Sequence, residues 1–128
     1  MEQYTLTIAV EAKLMQEIAT TVILPAAIRY QTELAHNVAT LKTAGVEPSM
    51  TALETVSAPL ADLEAALTTL NTALSDHSAE SALDEARHAQ DALLPAMAAV
   101  RTAADTLESV VADDLWQLPT YQEMLYIL

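Results

Sequence analysis

Two Glu-x-x-His motifs are the residues of this chain whose types and spacing are best suited to bind a metal. Glu33 and His36 form the first motif, and Glu85 and His88 form the second. Helical bundles that hold two iron or manganese ions combine two such motifs with one Glu from each of two further helices. In both motifs, however, the residue after Glu belongs to the predicted buried stripe of its helix. Each Glu and His therefore lies on a flank, and flank-exposed polar pairs are the preferred interpretation.

Other catalytic constellations find little support. With no Cys and one Gly, the chain has no thiol chemistry and no glycine-rich phosphate loop. The hydroxyl side chains fall on helix surfaces without an oxyanion loop, and His77 falls in a predicted solvated turn. Arg29 and Arg101 each follow an internal proline and could reach an acid on a neighbouring helix, and Arg101 and Asp105 have the i,i+4 spacing of an ion pair. Structural salt bridges are the preferred function of both arginines.

The elements that would position these residues are long helices. Hydrophobic residues make up 52% of the chain but aromatics only 4%, and a single Gly is too few for a sheet with its turns. We predict one all-α domain over residues 1–128. Its helices span about 7–43, 50–76 and 79–113, with a short capping helix at about 120–126. Short connections predict an elongated, antiparallel, up-down-up bundle.

Prolines interrupt all three predicted long helices. Pro25 and Pro95 each remove one backbone hydrogen bond, so we expect kinks in the first and third helices. Pro59 comes early in the second helix, so its first turns are expected to form a separate or bent segment. Thr51 and Glu54 fit a capping box at the start of that helix.

Apolar residues recur at helical spacing in each long helix. In the first helix they include Val10, Leu14, Ile18, Val22, Ile23, Tyr30, Leu34, Val38 and Leu41. In the second they are Leu53, Val56, Leu60, Leu63, Leu67, Leu70 and Leu74. In the third they are Leu83, Ala86, Gln90, Leu93, Met97, Val100, Ala104, Leu107 and Val111. The second and third sets alternate steps of three and four, as in a heptad seam.

The C-terminal segment differs from the rest of the chain because it contains the single Trp and breaks the helical pattern. Thr120 and Glu123 fit a capping box, and Pro119 directly precedes it. Trp116 and Tyr121 belong to an apolar cluster that is too large to leave exposed. We therefore expect this segment to fold onto the bundle or to insert into another surface.

Charge and hydropathy narrow the choice of partner. Eighteen acidic and five basic residues give a net charge of −13, which argues against nucleic acid or an anionic membrane as a partner. The sequence contains no apolar run of about 18 residues and no visible export signal. We expect a cytoplasmic protein.

Four segments resemble the C-terminal region of type III glutamine synthetases, the large bacterial form of that ligase. They are Ile8-Ala9-Val10-Glu11-Ala12, Ile23-Leu24-Pro25-Ala26 with Arg29-Tyr30, Pro95-Ala96-Met97 with Arg101, Asp105 and Leu107-Glu108, and Trp116 with Pro119-Thr120-Tyr121 and Leu125. The segments follow the family's order over nearly the whole chain. Gln117 departs from the pattern, which has Pro after the Trp, and residues 49–80 match only as a generic heptad helix.

The resemblance implies a non-catalytic structural and assembly domain. In that family, upstream domains bind glutamate, ammonia, ATP and a divalent metal such as Mg²⁺, and no position of this chain matches a catalytic, cofactor-binding or metal-binding motif. The implied partners are those catalytic domains and the neighbouring subunits of a homo-oligomer. The residues expected to be structural anchors are Pro25, Arg29, Tyr30, Pro95, Arg101, Trp116, Pro119 and Tyr121.

Two other functions stay open. A stand-alone helical bundle for protein interaction or ligand sensing predicts a complete short gene, whereas the ligase hypothesis predicts catalytic domains encoded upstream in the same frame. A metal-dependent bundle enzyme predicts iron or manganese in the purified protein.

Overall fold

The computed structural model describes residues 2–76 and 81–111, with side chains from residue 6 onward, and these residues form three helical stretches without a β-strand. The all-α class predicted from composition is confirmed for this part of the chain. The elements are α1 (Glu2–Ile18), a π-helical segment π1 (Ala19–Ile23), α2 (Leu24–Thr43), α3 (Thr51–Ser75), α4 (Ala82–His88), a second π-helical segment π2 (Ala89–Leu93) and α5 (Leu94–Val110). The predicted short helix at about 120–126 lies outside the described residues, as do Trp116, Pro119, Tyr121 and His77.

The first helical stretch ends where the sequence predicts. α2 closes at Thr43, and Gly45 follows with φ of +82°, the left-handed conformation that glycine adopts without strain. The Val46 N–H donates to the carbonyl oxygen of Leu41 at 2.9 Å, and the Gly45 N–H donates to that of Lys42 at 3.1 Å. These two hydrogen bonds form a Schellman motif, which satisfies main-chain carbonyls at the end of α2.

A π-helical segment precedes each of the prolines at 25 and 95. The Leu24 N–H donates to the carbonyl oxygen of Ala19, and the Leu94 N–H donates to that of Ala89, so both hydrogen bonds span five residues instead of four. Each proline is then the second residue of the following α-helix, where a missing N–H costs little. The sequence predicts an interruption at both positions but not its π-helical form. The bend angle at each proline stays a prediction.

The structure changes two expectations for α3. The helix is continuous from Thr51 to Ser75 with Pro59 inside it, so its first turns are not a separate segment. The Pro59 ring is buried, so its packing recovers part of the free energy that is lost with the hydrogen bond proline cannot make. The capping box is wrong, because Met50 is the N-cap residue without a side-chain hydrogen bond and the Glu54 N–H donates to the Met50 carbonyl oxygen.

The buried core confirms the predicted seam of α3 from Val56 to Leu70 and that of the third helical stretch from Leu93 to Val111. Leu63 and Leu70 of α3 and Val100, Ala104 and Leu107 of α5 are each 0% exposed. Many core positions are alanines, which let helix backbones approach closely. They are Ala12, Ala19, Ala26, Ala27, Ala66, Ala73, Ala89, Ala96, Ala103 and Ala104.

Two parts of the predicted seams are wrong. Within π2, Gln90 is exposed and Ala89 is buried, and Leu83 is exposed farther upstream in α4. A π turn contains more than the 3.6 residues of an α turn, so a seam drawn at constant spacing loses its phase there. In α1, Val10 and Leu14 are exposed, and the buried positions are instead Ile8, Ala12 and Met15, followed by Ala19 at the start of π1.

Each of the three helical stretches contacts the other two. Helix α3 packs along α5 and α2 and also contacts α1, while α1 contacts α4 and π2. Between α2 and α3, Gln31 Nε2 donates to Ser57 Oγ at 3.0 Å. The antiparallel order of the stretches and their elongated shape stay predictions. No helix in the described ranges is long and apolar enough to cross a membrane.

Candidate functional site

His88, from the second Glu-x-x-His motif, caps the C-terminal end of α3. Its Nε2 lies 2.7 Å from the carbonyl oxygen of Ala73, which can only accept, so Nε2 carries the proton. Its Nδ1 lies 3.8 Å from Asp76 Oδ2, and the Asp76 N–H also reaches the Ala73 carbonyl oxygen at 3.4 Å. The imidazole is thus held by the last turn of a neighbouring helix, where the helix dipole favours a donor or a cation.

The two Glu-x-x-His motifs do not come together as a metal site. Glu33, His36 and Glu85 are exposed, while His88 is half-buried against α3. Among the side chains that the structure describes, no three of His, Cys, Asp or Glu are close enough to hold a metal ion. Glu33, His36 and Glu85 lie on exposed flanks of their helices, as predicted. His88 instead contacts the carbonyl oxygen of Ala73, which its motif does not indicate.

The expected ion pairs of the arginines are not formed in the described part of the chain. Arg29 and Arg101 are both exposed, and no salt bridge joins Arg101 to Asp105. Asp105 is half-buried instead, and its Oδ1 atom is buried without a hydrogen-bond partner. The i,i+4 spacing therefore places the two side chains on one side of α5 without bringing their charges into contact.

The remaining expected anchors that are described lie near the core to different degrees. Tyr30 is half-buried and packs against the core cluster. Pro25 is half-buried, whereas Pro95 is exposed at the edge of the groove described next.

A wide groove of about 1770 Å³ runs between α3 and α5. Alanine and threonine side chains line most of it, and the hydroxyls of Thr69, Thr72 and Thr102 donate to carbonyl oxygens in their own helices. Because those hydroxyls are bonded locally, the lining threonines offer mainly their methyl groups to an incoming molecule. Asp76 and His88 lie along the same groove and make that part of it polar.

A second candidate surface is an apolar stripe on the outer side of α1. Leu6 is 64% exposed, Val10 50% and Leu14 36%. Their spacing of four residues puts them in one row along the helix. The opposite side of α1 is already used by the core, through Ile8 and Ala12 among others. α1 therefore carries two apolar faces, of which one has no partner among the described residues.

Residues 1–42 match the glutamine synthetase C-terminal domain family. A glutamine synthetase of Bacteroides fragilis (strain YCH46) is 24% identical to this chain over 136 positions, which cover 98% of this chain. No solved structure matches. The chain thus resembles the C-terminal part of a glutamine synthetase, and the family inferred from the four sequence segments is supported at that level.

The extent of this similarity is uneven. The family match ends at residue 42, near the end of α2, so it includes the whole α1 stripe and both residues Pro25 and Arg29. The chain spans only 18% of the length of the Bacteroides relative.

Sequence reasoning missed the α1 stripe and the cap at the end of α3. Val10 and Leu14 have the spacing of a buried helix face, so they were assigned to the core of the first helix. The face that is buried contains Ala12 and Ala19, whose small side chains give a weaker apolar signal. The signal was nonetheless present, because Ile8, Ala12, Met15 and Ala19 alternate steps of four and three. The cap depends on a contact between separate helices, which spacing alone does not predict.

Proposed function

We propose that this chain is the non-catalytic C-terminal structural domain of a type III glutamine synthetase. The match of residues 1–42 to the glutamine synthetase C-terminal domain family carries the proposal. Similarity to a Bacteroides glutamine synthetase over 98% of the chain supports extending it beyond α2. The parent enzyme would make glutamine from glutamate and ammonia with ATP and a divalent metal such as Mg²⁺. Those ligands would bind in domains that precede this one.

The domain would contribute to assembly. Its proposed partners are the catalytic domains of the same chain and neighbouring subunits of a homo-oligomer, in the cytoplasm. In this proposal its helices form an antiparallel, up-down-up bundle bent at Pro25 and Pro95. The short connection between α2 and α3 and the hydrogen bond from Gln31 to Ser57 support antiparallel packing of those two helices.

A truncation of the parent enzyme tests this function. The reading frame upstream of residue 1 is read first, and it is expected to encode ligase domains. The longer protein and a variant that stops before Ala12 are then compared by light scattering and by glutamine formation from glutamate, ammonia and ATP. The truncated form is expected to lose the native oligomer, since the deletion removes nearly all of this helical domain.

The control for the truncation is the fold of the portion that remains. Circular dichroism and ATP binding should show that the catalytic domains are still folded when the assembly is lost. An oligomer of unchanged mass after the deletion would overturn the assembly role. An upstream frame without ligase domains would overturn the proposed function as a whole.

A stand-alone module for protein interaction or ligand sensing is the second candidate. The groove between α3 and α5 favours this second function, because a wide groove lined mostly by methyl groups can bind an apolar helix or a small molecule. This alternative predicts a short gene that is complete in itself, so the upstream reading frame also separates the two functions.

A further inference from the structure

We infer that the α1 stripe, formed by Leu6, Val10 and Leu14, is the surface on which the preceding part of the same ligase chain docks. The inference rests on the proposed function and adds to it a specific interface. Its starting point is the position of the stripe at the beginning of α1, within the 42 residues that match the glutamine synthetase C-terminal domain family. A preceding domain would reach this helix before any other element.

The stripe is not needed by the chain's own core. α1 already buries Ile8, Ala12 and Met15 against α3, α4 and π2. A surface helix of a globular domain needs one apolar face, with polar residues opposite. A second row of three large aliphatic side chains, which no other described residue covers, therefore indicates a second partner for α1.

The small size of the stripe favours a partner in the same chain over a separate protein. Stable complexes between free proteins bury roughly 800 Å² on each partner, far more than three partly covered side chains expose. Interfaces between domains of one chain can be smaller, because the linker keeps the local concentration of the partner high. In the Bacteroides relative, more than four fifths of the chain lies outside the region of similarity, which is ample material for such a partner.

Charge argues against a second copy of this chain as the occupant. The chain carries a net charge of −13, so two copies repel each other at low salt. Glu11 and Glu17 lie beside the stripe on α1 together with a single base, Lys13. Self-association through α1 would place these acids of both copies near one another.

Cysteine labelling can test this interface, because the 128-residue chain contains no Cys. Val10→Cys is introduced into the 128-residue chain and into the longer enzyme, and the rate of its reaction with N-ethylmaleimide is followed by peptide mass spectrometry. Ala61→Cys, at an exposed position on α3 outside the groove, is the matched control. We expect the Cys at position 10 to react about tenfold more slowly in the longer enzyme, with the control unchanged, because docking covers the side chain.

A second pair of variants links the stripe to stability. Val10→Glu is expected to leave the unfolding midpoint of the 128-residue chain unchanged, because the side chain is half exposed there. In the longer enzyme the same change should lower the midpoint, and Ala61→Glu should not. Equal effects of Val10→Glu and Ala61→Glu in both proteins would contradict the interface.

The outcomes distinguish this inference from the proposed function. If the longer enzyme forms glutamine but the Cys at position 10 reacts at the same rate in both proteins, the interface is wrong and the ligase function stands. Protection of position 10 in the isolated chain that grows with protein concentration would identify a second copy as the occupant and overturn the inference. An upstream frame without ligase domains overturns both.

Discussion

The imidazole of His88 donates a hydrogen bond to the main-chain carbonyl oxygen of Ala73 over 2.7 Å. The contact joins the third helical stretch to the end of α3. The last carbonyl groups of a helix have no partner within the helix itself, so a donor from another helix satisfies one of them. A residue that suggested metal chemistry by its spacing therefore contributes to tertiary structure.

Removal of this donor is expected to destabilise the protein. Among the described residues, His88→Ala leaves the Ala73 carbonyl oxygen with the longer bond from the Asp76 N–H alone, and the free energy of unfolding should fall by about 1–2 kcal/mol. Urea unfolding followed by circular dichroism measures the change. His36→Ala is the matched control, because His36 is exposed on α2. Equal stability of the two variants would show that the His88 contact contributes nothing.

Pro59 and Pro25 are expected to respond differently to substitution by alanine. Pro59 lies inside a continuous α-helix, where proline costs about 3 kcal/mol relative to Ala, so Pro59→Ala should stabilise by about 1 kcal/mol after the loss of its buried ring. Pro25→Ala should instead be neutral or destabilise by up to about 1 kcal/mol. The hydrogen bonds of π1 already accommodate the missing N–H of Pro25. Alanine also gives the unfolded chain more conformational entropy, which lowers the free energy of unfolding.

The same unfolding measurement checks both proline variants, and Pro95→Ala repeats the second case at an independent π segment. A gain of stability in Pro25→Ala as large as that in Pro59→Ala would show that the π-helical hydrogen bond does not compensate for the proline.

Two leucines from the predicted seams should differ strongly in their contribution to stability. Leu70 is 0% exposed and Leu83 is 50% exposed. Leu70→Ala removes buried methyl groups and leaves a cavity, with an expected loss of about 2–5 kcal/mol. Leu83→Ala should change the free energy of unfolding by less than about 0.5 kcal/mol. A comparable loss from both substitutions would mean that α4 packs more closely than its exposure indicates.

The hydrogen bond between Gln31 and Ser57 offers a direct test of the packing of α2 on α3. A double-mutant cycle with Gln31→Ala and Ser57→Ala is expected to give a coupling energy of about 0.5–1 kcal/mol, typical of a neutral hydrogen bond. Chemical denaturation of the two single variants and the double variant supplies the cycle. Strictly additive effects would indicate that the two side chains do not interact in solution.

Apolar periodicity and helix-ending residues predicted the helices well. Local rules for caps and apolar spacing predict the Gly45 stop, the α3 seam from Val56 to Leu70 and the seam of the third helical stretch from Leu93 onward. The same rules fail at Gln90, because an extra residue per turn in π2 shifts the phase of the helix. The π-helical segment lies directly before the helix that contains Pro95. The spacing of apolar residues does not predict such a segment.

The candidate sites were harder to predict from the sequence. The cap by His88 requires two residues 15 positions apart in the chain to meet across a connection between helices. The α1 stripe required a choice between two apolar faces of one helix, and the face with more apolar mass is the exposed one. The structure buries the other face, because the small side chains of Ala12 and Ala19 let the helices pack closely. A hydropathy scale gives little weight to alanine and so does not predict this packing.

Gly45 is the sole glycine of the chain and the one described residue with a positive φ. A methyl group built on its Cα would meet no other atom within 4 Å, so there is free space at this position. The glycine is thus required for its handedness and not for its size. A D-alanine would fit the same torsion angles, whereas its L enantiomer would be strained there although nothing crowds it.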